Sequence, residues 1–185
     1  MAANALTGKT IAFLVANEGV EQLELTEPWQ AVKQAGGTPK LIAPQDGKVQ
    51  AFNHLDKGDT FNVDQSVGSA SPDNFDALVL PGGVANPDQL RTQPAAVAFA
   101  KAFATSGKPI AVICHGPWTL VEAGVLTGRT ITSWPSLRTD VRNAGGTWVD
   151  EEVHADTSGP GPIVSSRKPD DLKAFCQELV DVFAG

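Results

Sequence analysis

The chain has 185 residues, of which 42% are hydrophobic and 19% are charged, and its formal net charge is −7. This size and composition exclude a disordered chain and predict one globular domain over residues 1–185. The negative charge argues against a dedicated nucleic-acid surface, which needs clustered Lys and Arg. Apolar runs of only a few residues argue against a membrane partner, and the N-terminus lacks a signal-peptide pattern, so a cytoplasmic location is expected.

Short apolar runs separated by helical patterns predict the elements of the first half. An acidic loop at 17–24 follows the first run, and a helix is predicted over 25–35, closed by two glycines. The turn that ends the last of these runs is Pro81, Gly82 and Gly83. The strands are predicted at 9–16, 38–43, 49–52, 60–63 and 76–80, the third and fourth as short antiparallel pieces.

The second half continues the alternation of strands and helices. Strands are predicted at 110–113, 129–132, 148–154 and 162–165, the last two at the edge of the sheet. Helices are predicted at 94–104, 118–126 and 135–143, and from 169 towards the C-terminus. This order predicts an α/β three-layer sandwich with a flavodoxin-like, mainly parallel sheet.

Cys114 lies where the buried strand 110–113 stops and a helix begins. A sharp turn at such a corner exposes the side chain, and the helix dipole favours an anion there. The sequence therefore predicts a cysteine nucleophile elbow, with a thiol that ionises more easily than a free one. Cys176 falls within the apolar pattern of the C-terminal helix, so we interpret it as a packing residue.

Ligands of open parallel sheets bind at the carboxyl ends of the strands, where three unusual segments should meet. Gly82 and Gly83 either offer N–H groups to an oxyanion beside the thiol or serve only a tight turn. His115 is either a general base or an incidental neighbour of the thiol. Glu18 and Glu21 are the carboxylates available on the first loop, as acid/base groups or as solvated acids.

No metal or cofactor is expected from these residues. The chain has two Cys and three His, without the close spacing that zinc sites use. No G-x-G-x-x-G pattern follows the first strand, which argues against a dinucleotide.

Several segments together resemble the PfpI-type intracellular protease and general stress protein family, within the DJ-1/PfpI superfamily of class I glutamine amidotransferase-like folds. The matching segments lie at 16–18, 75–83, 107–117, 123–126, 143–145 and 164–167, nearly end to end. The resemblance implies a nucleophilic Cys114 in strained backbone, hydrogen-bonded to a first-loop glutamate. Alignment of that loop assigns this role to Glu21, with Glu18 as the alternative.

The resemblance also implies an oligomer. In this branch His115 pairs with an acid from a neighbouring subunit, and Asp88, after the Gly-Gly turn, fits that place. A homodimer, or a higher oligomer built from dimers, is therefore expected to complete the site.

Three functions follow from the resemblance. The preferred one is a glyoxalase III-type or protein deglycase reaction on a small aldehyde or on a glycated protein or peptide. The second is a cysteine peptidase that uses Cys114 and His115, oriented by Asp88 of a neighbouring subunit. The third is a non-catalytic sensor of oxidative stress, or a chaperone, with an oxidisable Cys114.

Overall fold

The computed structural model describes residues 4–185. The expectation that the N-terminus lacks a signal peptide rests in part on residues 1–3, which lie outside the described residues. Within residues 4–185, no helix has the length and apolar character needed to cross a membrane.

A mainly parallel sheet of seven strands forms the middle of the molecule. The strands of the chain are β1 (Thr10–Leu14), β2 (Glu18–Glu21), β3 (Thr38–Ala43), β4 (Lys48–Asn53), β5 (Asp56–Asn62), β6 (Gln65–Ser66), β7 (Ala77–Leu80), β8 (Ile110–Ile113), β9 (Thr130–Ile131), β10 (Thr147–Trp148), β11 (Val153–Asp156) and β12 (Ile163–Ser166). The central order is β11-β12-β8-β7-β1-β3-β6, and only β11 runs antiparallel to its neighbour. The predicted parallel sheet is confirmed.

Helices cover both faces of this sheet. They are α1 (Gln22–Gln34), α2 (Ala85–Leu90), α3 (Pro94–Ser106), α4 (Pro117–Ala123), α5 (Arg138–Asn143) and α6 (Leu172–Ala184). One buried cluster joins Phe13 of the sheet to Phe175 and Cys176 of α6, and includes residues of α1. A second cluster on the opposite face joins Leu78 to Phe103 of α3, and includes residues of α4 and α5. The three-layer sandwich and the packing role of Cys176 are thus confirmed.

The elements differ from the predicted ones at a few places. Helix α1 begins at Gln22, three residues before the predicted start, and β2 occupies part of the predicted acidic loop. Strand β2 runs parallel to β4, which pairs with β5 in the predicted antiparallel hairpin. Strands β9 and β10 form a separate two-stranded sheet. The predicted strand 148–154 is divided between β10 and β11, which belong to different sheets. Helix α2 was not predicted, because its short polar segment has no apolar periodicity.

Gly116 lies where two strand ends approach the start of α4. A Cβ atom on it would lie 2.6 Å from the carbonyl oxygen of Leu80 and 2.9 Å from that of Ile113. Both oxygens belong to backbone, which cannot move aside cheaply. The carboxyl ends of β7 and β8 can therefore meet beside α4 only because this residue has no side chain.

We predict that Gly116→Ala lowers the free energy of unfolding by about 1–3 kcal/mol, because the added methyl group overpacks two backbone carbonyls. Urea unfolding measures this loss. Gly68→Ala is the matched control, since a Cβ atom at Gly68 would meet nothing within 4 Å, and it should leave stability nearly unchanged. Equal stability of the two variants would contradict the close approach.

Candidate active site

Cys114 lies at the end of β8 in a backbone conformation that side chains rarely adopt. Its φ angle is +62°, in the left-handed region, which costs a residue other than glycine about 1–3 kcal/mol. Its N–H donates to the carbonyl of Ser166 at 3.1 Å, and its own carbonyl accepts the N–H of Trp134 at 2.9 Å. These bonds from two neighbouring segments hold the strained turn in place, and the predicted elbow geometry at Cys114 is confirmed.

Glu24, not Glu21 or Glu18, is the carboxyl group beside the sulfur. It lies in the first turn of α1, is fully buried, and is close enough to Cys114 that each group shifts the pKa of the other. Its Oε2 accepts the N–H of Gly82 at 2.9 Å. The assignment of the sulfur contact to Glu21 is therefore wrong, because the helix begins early enough to turn Glu24 into the interior.

Glu21 and Glu18 have other positions at the same site. Glu21 ends β2, and its Oε2 accepts the backbone N–H of His54 at 3.1 Å. Glu18 is exposed at the start of the same strand. Both still line the cavity in front of Cys114, so the predicted residues are gathered at one place although the sulfur contact was misassigned.

A signal for Glu24 was present in the sequence. In α1, Glu24, Pro28 and Ala31 are all buried, and they follow the spacing of one helix face. Extending the apolar stripe backwards from Ala31 and Pro28 leads to Glu24. A carboxylate in the buried stripe of a helix marks a functional candidate, because burying such a group is costly.

The charges of Glu24 and Cys114 are coupled. Burial raises the pKa of the Glu24 carboxyl to about 8. Burial also raises the pKa of the Cys114 thiol, and the charge of Glu24 and its hydrogen bond raise that pKa further. The expectation of a thiol that ionises more easily than a free one is therefore wrong. The two groups hold at most one negative charge, since close carboxylate and thiolate groups disfavour each other in a buried site.

Backbone N–H groups stabilise a negative charge on the sulfur and also one on the Glu24 carboxyl group. Those of Gly83 and His115 form hydrogen bonds that lower the pKa of the Cys114 thiol. The N–H of Gly82 is already used by Glu24, so of the two predicted glycine donors only Gly83 acts on the sulfur. Gly83 also has a φ angle of +80°, so the turn needs a glycine there as well.

Asn86 holds the glycine turn, and its role was not predicted. Its side-chain amide donates to the carbonyls of Pro81 and Gly82 at 2.9 and 3.0 Å, and its Oδ1 accepts the N–H of Ala16 at 2.6 Å. Asn86 is fully buried in α2. It therefore fixes the end of β1 against the turn that faces Cys114, but no pattern in the sequence distinguishes it from an ordinary polar helix residue.

His115 lies beside the thiol between two indole rings. Its Nδ1 is 3.2 Å from the Cys114 Sγ, and its ring stacks on Trp134 with the ring centroids 5.6 Å apart. Burial lowers the pKa of the imidazole to about 4, so the ring is neutral near pH 7. Its Nε2 is 3.5 Å from the Ser136 hydroxyl. Asp88 is exposed on α2, and within residues 4–185 it makes no hydrogen bond to this ring.

A cavity of about 570 Å³ opens in front of the sulfur. Its walls include the nucleophile, the neighbouring carboxyl and imidazole groups, the β4–β5 turn and the start of α2. The residues that line the cavity include Glu18, Glu21, Glu24, His54, Gly83, Asp88, Cys114, His115 and Trp134. Within residues 4–185, no three His, Cys, Asp or Glu side chains are arranged to hold a metal ion.

Comparisons with known proteins identify the family of the chain. A family model described as the DJ-1/PfpI family matches residues 9–182. This chain belongs to the DJ-1/PfpI family. The protein named deglycase PfpI of Pyrococcus furiosus is 43% identical over 170 residues, which cover 92% of this chain and 96% of that protein.

Two proteins of Bacillus subtilis are also similar to the chain. General stress protein 18 is 42% identical over 92% of this chain and 95% of its own length. The putative cysteine protease YraA is 38% identical over 94% of this chain and 98% of its own length.

Among solved structures, a two-domain protein of Anabaena variabilis with DJ-1/ThiJ/PfpI-like and ferritin-like domains superposes with a TM-score of 0.84 at 30% identity. The match covers 94% of this chain and 49% of the other, so the chain spans about half the length of that protein.

We predict that, because Glu24 is buried, its contribution to the stability of the protein decreases as the pH rises. Its folded pKa of about 8 lies above the ordinary value of 4.5, so its contribution to stability is complete below pH 4.5 and is lost as the pH rises through 8. The free energy of unfolding of Glu24→Gln, relative to the parent chain, should therefore increase over that range.

Urea unfolding at several pH values measures this difference. Glu178→Gln, outside the cavity lining, is the control, and its difference from the parent chain should not rise over the same range. A difference curve for Glu24→Gln that stays flat would contradict the raised pKa.

Proposed function

We propose that this protein is a deglycase-type stress enzyme that acts on reactive dicarbonyls through the Cys114 thiolate, by glyoxalase III-type or deglycase chemistry. The observation that carries the proposal is the buried Glu24 carboxyl beside a thiol held at an elbow. The names of the relatives, deglycase PfpI and general stress protein 18, support it. A cytoplasmic location remains part of the proposal.

In the first step the Cys114 thiolate adds to the aldehyde carbon of a dicarbonyl such as methylglyoxal, and a hemithioacetal forms. Glu24 holds its proton at this stage, because its raised pKa of about 8 keeps it protonated near pH 7. The raised pKa of the Cys114 thiol makes the thiolate the minor form, and this minor form is the one that reacts. The aldehyde oxygen gains a negative charge as the C–S bond forms. The Gly83 and His115 N–H groups, which already face the sulfur, are the donors available to this oxygen.

In the second step a proton moves between the two carbon atoms. Glu24, after giving its proton to the new oxygen, removes the hydrogen on the former aldehyde carbon, and an enediolate forms. Return of that proton to the neighbouring carbon, with transfer of the hydroxyl proton from the first oxygen to the second, produces a lactate thioester. Water then hydrolyses the thioester and releases lactate and the thiol. Methylglyoxal and one water therefore give one lactate, with no net oxidation.

The deglycase version begins from an amine adduct of the same dicarbonyl. The thiolate displaces the amine at the aldehyde carbon, and Glu24 donates the proton that the departing amine needs. The hemithioacetal that results is the one described above. One carboxyl group beside one sulfur thus serves both reactions, and the products are the repaired amine and lactate.

We predict that Cys114→Ser abolishes loss of methylglyoxal, and that Glu24→Gln reduces kcat by about 10²–10⁴-fold, because it removes the proton carrier. Glu18→Gln, in which an exposed carboxylate is neutralised, should retain most of the activity. Lactate formation and the loss of dicarbonyl measure the rates. Turnover that survives Cys114→Ser would exclude the mechanism. Absence of turnover together with peroxide oxidation confined to Cys114 would favour the sensor function.

A second candidate is a cysteine peptidase. The 3.2 Å distance between His115 Nδ1 and the Cys114 sulfur favours it, and the relative YraA is named a putative cysteine protease. This activity requires an imidazole that can hold a proton, whereas burial lowers the pKa of His115 to about 4. We propose that Asp88 of a neighbouring subunit supplies the missing acid in an oligomer built from dimers.

The two candidates give opposite results for His115→Ala. Under the peptidase hypothesis, His115→Ala and Asp88→Asn both lose hydrolysis of a denatured peptide, and dilution to the monomer has the same effect. Under the dicarbonyl hypothesis, His115→Ala keeps methylglyoxal turnover within about tenfold, because its side chain carries no proton in that scheme. Parallel rate measurements, with sedimentation at each protein concentration, separate the two.

A further inference from the structure

The turn between β3 and β4 contains Asp46 followed by Gly47, which is the single Asp-Gly pair of the chain, and the chain has no Asn-Gly pair. Residues 44–47 lie outside any helix or strand, and both Asp46 and Gly47 are exposed. A main-chain nitrogen attacks the preceding aspartate side chain most readily when it belongs to glycine, because glycine has no side chain to hinder the approach. This turn is therefore a candidate site of covalent self-modification.

The nitrogen of Gly47 is free to act as the nucleophile. Within residues 4–185 its N–H forms no hydrogen bond, whereas the Gly47 carbonyl accepts the N–H of Val63 at 2.9 Å. Gly47 has a φ angle of +104°, and a Cβ atom on it would meet nothing within 4 Å. No neighbouring group therefore blocks the approach of the Asp46 carboxyl group to this nitrogen.

Asn17 holds this turn from both sides. Its Oδ1 accepts the N–H of Gln45 at 3.0 Å, and its Nδ2 donates to the carbonyls of Gln45 and Lys48 at 2.9 and 3.3 Å. These two residues flank Asp46 and Gly47, so Asn17 fixes the ends of the reacting segment and leaves its middle open. Attack on the carboxyl group requires rotation about backbone and side-chain bonds of Asp46, and fixed ends oppose that rotation.

We propose that Asp46 is a site of spontaneous isomerisation to isoaspartate, and that Asn17 slows this reaction by holding the turn. The Gly47 nitrogen forms a bond to the Asp46 Cγ, the N–H proton and the carboxyl OH leave as one water, and a succinimide remains. One water then opens this ring. Opening at the main-chain carbonyl gives isoaspartate, and opening at Cγ restores aspartate. The reaction balances with water alone and needs no oxidant, cofactor or enzyme.

The same contacts connect this modification to the wall of the active-site cavity. Isoaspartate makes the main chain one carbon longer, which moves Gln45 and Lys48 apart and strains their bonds to Asn17. The carbonyl of Asn17 also accepts the N–H of Gln50 at 2.9 Å. Strand β2 begins at the next residue, and its side chains line the cavity. Isomerisation should therefore loosen the pairing of β2 with β4.

Peptide mapping after incubation near neutral pH, at physiological temperature for several weeks, measures the reaction. Mass spectrometry with electron-transfer fragmentation distinguishes isoaspartate from aspartate in each peptide. The isoaspartate fraction at Asp46 should exceed that at Asp181 at least about tenfold, because Asp181 is exposed but lies in α6 before a valine. Asp46→Glu keeps the charge and should abolish isomerisation at this position, since the larger ring closes far more slowly. A fraction at Asp46 no larger than that at Asp181 overturns the site.

Asn17→Ala tests the restraint, because it removes all three hydrogen bonds to the turn. It should raise the rate at Asp46 at least about threefold and leave the rate at Asp181 unchanged, which separates loosening of the turn from unfolding. Asn143→Ala, at an exposed asparagine of α5, is the matched control. If Asn17→Ala does not fold, Asn17→Asp replaces it, since it loses only the two donated bonds, with a smaller rise expected. An unchanged rate in the folded variant overturns the restraint.

Hydrogen exchange of the isomerised protein, separated by chromatography, tests the connection to the cavity wall. Amides of β2 and β4 should exchange faster than in the unmodified chain, whereas those of β12, in the seven-stranded sheet, should not change. Equal exchange of β2 in the two forms would contradict the connection. None of these measurements uses turnover, so each result holds whether or not the proposed function fails.

Discussion

The structure depends on one arrangement, a buried carboxyl group against a buried thiol. Each group alone would lose its charge on burial, and together they oppose a second charge. Glu24 and Cys114 therefore hold at most one negative charge, and the N–H groups around them stabilise it. Gly82 and Gly83 donate to the carboxyl group, and Gly83 and His115 donate to the sulfur. A negative charge on the sulfur therefore requires that Glu24 be protonated.

The scaffold keeps this pair in place by bringing three strand ends together. Cys114 accepts a strained φ of +62° because backbone bonds to Ser166 and Trp134 fix it from neighbouring segments. Gly82 allows the chains to approach, since a Cβ atom there would lie 2.7 Å from the Cys114 Cβ. Asn86 closes the arrangement by joining β1 to the glycine turn. The parallel sheet positions the chemistry at its carboxyl edge, where the strands end and the helices begin.

Much of this could be predicted from the sequence, because buried parallel strands appear as continuous apolar runs and the thiol stands where one of them stops. The sulfur partner could not be predicted in the same way. Helical periodicity is detectable only where apolar residues begin. The sequence pattern therefore predicts a helix that starts at Leu25 and assigns Glu24 to the preceding loop. The structure begins the helix at Gln22, which places Glu24 on the buried face. The role of Asn86 could not be predicted for a related reason. It lies in contacts with the turn at Pro81 and Gly82 and with Ala16, which is 70 residues earlier in the chain, and not in a local pattern.

The size of the cavity bears on which reaction the pair performs. At about 570 Å³ it is within the range that holds drug-sized ligands, whereas methylglyoxal has only five heavy atoms. A free dicarbonyl would leave most of the space to water, which weakens the electrostatic control that the buried pair depends on. An adduct brings its amine carrier with it, and this carrier can fill the cavity, exclude water and contact its walls. Within the proposed function, the size of the cavity therefore favours the deglycase reaction over the glyoxalase reaction, both of which are proposed to use the same sulfur and the same carboxyl group.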